Sequence, residues 1–274
     1  MTAPMAFFER TPVGFEPLAY SASAWSPDMV NGPAVCGLLA RTLELEFGAP
    51  EFTPVRLTVD LFRPVQRRTS EVRTVEVRSG NRIRVADAEL VQDGEVKARA
   101  TAVFLRRSQQ PPGELWTRAE LPAPPPEELS DPPGRPLWGS DDHPDGWTGD
   151  LSEHQNASRK RCWQTPLPTV LGEPLTPFAA VATIAEAASL MTNWSTAGVG
   201  FINADLTIAL TRPVRGTAIG VEGDSHFSEH GISVGSATLF DREGAFGTAM
   251  VTALANAERT VDFVEEDFAE LRRG

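Results

Sequence analysis

Residues 56–65 read RLTVDLFRPV, and residues 205–214 read DLTIALTRPV. Leu57, Thr58, Leu61, Arg63, Pro64 and Val65 recur as Leu206, Thr207, Leu210, Arg212, Pro213 and Val214, an offset of 149. Further along, Ile83, Val85, Ala88 and Leu90 recur at the same offset as Ile232, Val234, Ala237 and Leu239, and Gly94 meets Gly244 once one residue is inserted. Chance does not hold one register across several elements, so the chain reads as two copies of a unit of roughly 100 residues.

Working outward, each copy begins with a stretch almost free of charge, NGPAVCGLLARTLELEF at 31–47 and TPFAAVATIAEAASLM at 176–191. Each has a proline near its start, where a missing N–H does no harm to a helix, with Asn31 or Thr176 placed to cap it. Both stretches are apolar almost all round, as a helix buried on most sides must be. Strands follow: Val55, Leu57, Val59 and Leu61 alternate with Arg56, Thr58 and Asp60, and residues 202–210 alternate in the same way. Turn sequences at 79–81 and 92–95 separate further strands and imply an antiparallel sheet. A buried helix wrapped by a curled sheet is an α+β unit. The expected organisation is a first unit over 1–107, a proline-rich linker over 108–158, a second unit over 159–256 and a tail over 257–274. Trp116, Trp138 and Trp147 imply that the linker packs on the body, and the tail reads as a short amphipathic helix or a frayed end.

The chain has 274 residues with 25 Lys+Arg against 37 Asp+Glu, a net charge of −12. Residues 1–107 hold 14 basic and 13 acidic residues, so the second half carries the acidity and nucleic acid is a poor partner. No apolar run approaches the ~18 residues of a membrane span, and the N-terminus lacks the pattern of a signal peptide, so a cytoplasmic protein is expected. Cys36 and Cys162 are too few for a disulfide framework or a zinc site. Arg63, Arg67, Arg68, Arg73, Arg78, Arg82 and Arg84 crowd into about one strand pair, either as a solvated sheet face or as a patch for a phosphorylated small molecule.

Several side chains could carry chemistry. Asp205 shares its strand face with Asn203 and Thr207 if the alternation is regular, forming a wet hydrogen-bonding trio. Glu186 stands among small and apolar residues, where a carboxylate is either paired with an arginine or shifted in pKa and functional. His226 and His230 flank Ser228 at a spacing of two, without a nucleophile elbow, and a metal site there is a lesser possibility. His143 and His154 read as surface residues of the linker. The helix starts at Asn31–Gly32 and Thr176–Pro177 are natural places for a polarised oxygen, and Gly32 would let a substrate approach closely.

The helix, the RPV strand and the duplicated layout resemble the TesB-type double hotdog acyl-CoA thioesterases. The resemblance rests on WSPDMVNGP, RLTVDLFRPV, RSGNRIRVADAELVQDGEVKARATAVFLR, AEAASL, NADLTIALTRPVRG and GISVGSATLFDREGAFG. It implies hydrolysis of fatty acyl-CoA to free acid and CoA, with no metal or organic cofactor and with homodimers or higher homo-oligomers. In that family an Asp seven residues before an Arg-Pro pair holds the attacking water with a hydroxyl and a Gln, which here designates Asp205 and Ser228, with Ser225 nearby and Asn203 in support. The Gln position falls on Val251, which cannot orient water, leaving Thr252 as a substitute. Another hotdog branch places its acid on the central helix, which would make Glu186 the base. Gly32, Arg67, Arg68, Arg82, Val251 and Thr252 are the expected substrate contacts, the arginines receiving the CoA phosphates. Two rivals are an acyl-CoA-binding protein that has lost catalysis and an enoyl-thioester hydratase.

Overall fold

The computed structural model describes residues 5–129, 132–256 and 258–265. An N-terminal hairpin of β1 (Phe8–Thr11) and β2 (Gly14–Pro17) leads into α1 (Gly32–Phe47), then β3 (Phe52–Leu61), β4 (Glu71–Ser79), β5 (Ile83–Gln92) and β6 (Glu95–Arg106). The linker contributes β7 (Leu137–Ser140) and β8 (Trp147–Thr148). The second unit contains β9 (Lys160–Gln164), α2 (Pro177–Ala185), α3 (Ala188–Asn193), β10 (Trp194–Ser195), β11 (Gly198–Val199), β12 (Phe201–Asn203), β13 (Asp205–Leu210), β14 (Ile219–Glu229), β15 (Ile232–Asp241) and β16 (Gly244–Ala255).

One antiparallel sheet of 12 strands wraps the helices in the order β4-β5-β6-β3-β13-β16-β15-β14-β9-β7-β8, with β12 also pairing β16. The fold is the α+β double hotdog. β5 and β15 span ten residues each and β6 and β16 twelve, all at the offset of 149. The ladders are irregular at matching places, Leu90/Val91 and Leu239/Phe240. The strands therefore hold register without the insertion that matching Gly94 to Gly244 required. Where the halves join, Thr58 stands directly opposite its own duplicate Thr207, and Thr207 Oγ1 donates to Thr58 Oγ1 at 3.2 Å.

The helices bury what their sequences predict. α1 places Ala34, Val35, Cys36, Leu38, Leu39, Ala40 and Leu43 in the core, packed against the sheet and against α2. Full burial of a side chain such as Leu38 is worth about 1.5–3 kcal/mol. Both cysteines are buried free thiols.

Three expectations need correction. The helix expected over 176–191 is broken at Glu186–Ala187, where Ala187 N donates to Ile184 O and Ser189 N to Glu186 O, each at 3.0 Å. These three-residue bonds tighten the chain locally. The linker is partly sheet: β7 pairs β9 of the second unit, near the edge of the sheet, and buries Trp138, whereas Trp116 is 90% exposed. Of the tail, residues 263–265 form a turn; the part beyond 265 lies outside the described residues.

Candidate active site

A cavity of about 820 Å³ opens where the start of α1, the α2–α3 junction and β12 converge. Its walls are mostly apolar, among them Tyr20, Trp25, Leu61, Trp138 and Leu190, and Gly32, Glu186 and Asn203 form the polar end. The start of α1 is arranged so that one donor remains. Asn31 Oδ1 accepts from Ala34 N at 2.9 Å, while Asn31 Nδ2 donates to Tyr20 O at 3.0 Å and Ala22 O at 3.1 Å. Pro33 has no N–H to offer. The Gly32 N–H, at the first helical position, is left without an intrahelical partner.

Glu186 lies against this helix end. A Cβ placed on Gly32 would stand 2.0 Å from Glu186 Oε1, so only glycine permits the approach. Asn203 Nδ2 donates to Glu186 Oε1 at 3.1 Å. Burial pushes the carboxyl up to about 7, opposed by the Asn203 hydrogen bond. The arginine partner weighed for Glu186 is not its hydrogen-bond partner; the amide of Asn203 fills that place.

The strand-face expectation for Asp205 fails for a local reason. Asn203 pairs Ala253 on β16 whereas Thr207 pairs Met250, a shift of one residue across Ala204. A bulge of this kind flips the alternation, so Asn203 turns toward the helices and Asp205 turns away with Thr207. Asp205 Oδ1 accepts from Thr252 N at 2.8 Å, and Thr252 Oγ1 donates to Asp205 Oδ2. Thr252 and Asp205 are thus brought together, but neither lines the cavity. Val251 is fully buried in the core.

Ser228 does not join them. It sits on β14, three strands from β13 in the sheet order and therefore about 14 Å away. It is exposed, with His226 Nε2 and Ser228 Oγ 2.9 Å apart. Ser225 Oγ lies 2.8 Å from Ser236 Oγ, and His230 occupies the turn with φ +52°.

The sequence description of the acyl-CoA thioesterase N-terminal domain matches residues 21–105, and that of the acyl-CoA thioesterase C-terminal domain matches residues 122–254. The chain belongs to the acyl-CoA thioesterase family. It is a thioester hydrolase of the TesB type. Among solved structures, this thioesterase is similar to a protein of unknown function with a hot dog fold from Alicyclobacillus acidocaldarius, at TM-score 0.66 and 16% identity, covering 92% of this chain and 96% of that one. It is also similar to the TesB protein of Mycobacterium avium subsp. paratuberculosis, at TM-score 0.63 and 17% identity, covering 90% of this chain and 95% of that one. Acyl-CoA thioesterase II of Mycobacterium marinum gives TM-score 0.62 and 17% identity, covering 84% and 90%. No curated protein sequence matches the chain.

In this thioesterase the arginines do not form one patch. Arg63 lines the cavity and pairs with Glu95 at 2.9 Å. Arg67 and Arg68 flank a neighbouring depression with Asp28 and Gln66; Arg67 Nη1 donates to Pro27 O at 3.4 Å, and Arg68 pairs with Asp93. Gln92, at the end of β5, bonds Gln66 and Arg68, whereas Arg82 precedes the other end of that strand, about 30 Å away. Arg82 therefore cannot share a ligand with them.

The linker histidines also depart from expectation. His154 is fully buried, its Nδ1 3.0 Å from Ser140 Oγ and its Nε2 3.0 Å from Thr148 Oγ1. Burial pushes its pKa down to about 4. With both ring nitrogens taken by the hydroxyls of Ser140 and Thr148, it ties segments of the linker to one another.

One residue was missed from the sequence. Glu44, on α1, accepts from Phe178 N at 3.0 Å at the start of α2. The signal was present: an acid late in an otherwise apolar helix, as with Glu186.

Proposed function

We propose that this thioesterase hydrolyses fatty acyl-CoA at the meeting point of Gly32, Glu186 and Asn203. The observation carrying this reading is a carboxyl raised to about 7 beside a free helix N–H, in the wall of a large apolar cavity. The acyl chain lies along the apolar wall with its carbonyl oxygen on the Gly32 N–H, where the helix dipole favours developing negative charge. Ionised Glu186, oriented by Asn203, takes a proton from water as the water oxygen attacks the carbonyl carbon. The tetrahedral intermediate collapses, the C–S bond breaks, and the proton on Glu186 passes to the departing thiolate. Free acid and CoA result, and Glu186 is ionised again. Arg63, Arg67 and Arg68 are placed to attract the CoA phosphates. Association of two copies belongs to the same proposal and is checked by the mass in solution.

A second reading has Asp205 and Thr252 hold the water, favoured by their direct contact. Thiol release from acyl-CoAs as a function of pH separates the two. In the first reading, kcat/KM of the wild type rises with pH through about 7, Asp205→Asn keeps that limb, and Glu186→Gln loses on the order of 10²–10⁴ in rate. The reverse pattern supports Asp205. If acyl-CoA is bound tightly without thiol release, or enoyl-CoA loses absorbance without it, the hydrolysis proposal falls.

A further inference from the structure

Glu186, Ala187 and Leu190 line the cavity across the α2–α3 junction, and Trp194 follows at the end of α3. The Phe263 ring meets Trp194 edge to face with centroids 4.9 Å apart, and Trp138 meets the same indole at 6.2 Å. Phe263, Trp138 and Leu151 all face the cavity.

Phe263 arrives on a strap after β16 that has its own supports. Val261 and Val199 exchange both backbone hydrogen bonds at 2.9 Å. From the linker, Gln155 Oε1 accepts from Phe263 N at 3.0 Å, and Gln155 Nε2 donates to Asp262 Oδ1 at 2.9 Å. This wall of the cavity is therefore built by linker and strap, the parts of the chain outside the duplicated strands.

We propose that Phe263 is the stop that limits acyl-chain length, so that acyl groups long enough to press on its ring are disfavoured. This rests on the placement of the carbonyl at Gly32 and Glu186. Longer chains must displace the strap, losing its hydrogen bonds and ring contact.

The test measures kcat/KM for thiol release by the full chain from butanoyl-, octanoyl-, decanoyl-, dodecanoyl- and palmitoyl-CoA, with wild type beside Phe263→Ala and Phe263→Leu. The wild type should fall on the order of tenfold or more from its preferred length to palmitoyl. Phe263→Ala should move the peak to longer chains, with Phe263→Leu intermediate. An unchanged profile, or an equal fall at every length, overturns the proposal. Should the wild type release no thiol from any of these, the hydrolysis reading is what has failed. The length limit is then read from the melting shift that the corresponding free fatty acids give wild type and Phe263→Ala, with the same peak displacement required. If Phe263→Ala does not fold, Phe263→Leu and Gln155→Ala must shift the profile in the same direction.

Discussion

The two central helices each receive a glutamate from the other at their N-termini, and the two glutamates do different things. At the start of α2, Thr176 makes no side-chain cap, and Glu44 supplies one, with hydrogen bonds from the N–H groups of Phe178 and Ala179. At the start of α1, Asn31 already serves as the cap, so Glu186 is not needed there and is held by Asn203 instead. A single difference in capping residue separates an acid used as structure from an acid left free to react. Under the proposed function, each chain then has one reactive centre although each half carries a glutamate at a helix end.

The largest effect that would break this comparison concerns the free acid. Glu186→Gln should abolish most turnover, whereas Glu44→Gln should leave kcat within about twofold, because only one of the two contributes to chemistry. A comparable loss in both, measured by thiol release, would erase the distinction. Next is Gly32→Ala. The added methyl would lie 2.0 Å from Glu186 Oε1, and a displacement of this kind should lower kcat/KM by about 10²-fold with little change in far-UV circular dichroism.

Asn31→Ala sharpens the comparison by making the first helix end resemble the second. Glu186 should then accept helix N–H groups, which favours its ionised form, and the pH limb of kcat/KM should move below the wild-type value near 7. Loss of the cap should also cost about 1 kcal/mol. The smallest effects are in stability. Glu44→Ala should cost about 1 kcal/mol, or roughly 2–4 °C in Tm, from loss of a cap. For Glu186 the sign is opposite. Its folded pKa near 7 lies above the ordinary 4.5, so folding is penalised as pH rises through that window and the penalty is complete above about 7. Glu186→Gln should raise Tm at pH 8 and leave it nearly unchanged at pH 4, by calorimetry.

Much of this architecture was legible because duplication leaves a register. Thr58 and Thr207 could be matched from the sequence alone, and they meet on the joining strands. Asn31 as a cap and Glu186 as an anomalous acid were equally visible, each being a polar group in an apolar setting. The fate of Asp205 was not legible, because a one-residue shift across Ala204 reverses a strand face and leaves no mark in composition or spacing. The separation of Arg82 from Arg67 was hidden for another reason: residues near in sequence stand at opposite ends of a ten-residue strand. Linker residues such as His154 were misplaced because a proline-rich stretch reads as exposed whether or not it folds back onto the body.

The joining of β3 to β13 also bears on what the covalent chain is for. Since the sheet runs unbroken from one half to the other and each central helix is touched at its end by a carboxylate of its neighbour, cohesion does not depend on the peptide between them. A protease that nicks the exposed stretch around Trp116 should yield two fragments that stay together on a sizing column and melt in one transition. Continuity of the polypeptide would then serve mainly to keep unlike halves in equal number, so that the helix start of one is always matched with the glutamate of the other.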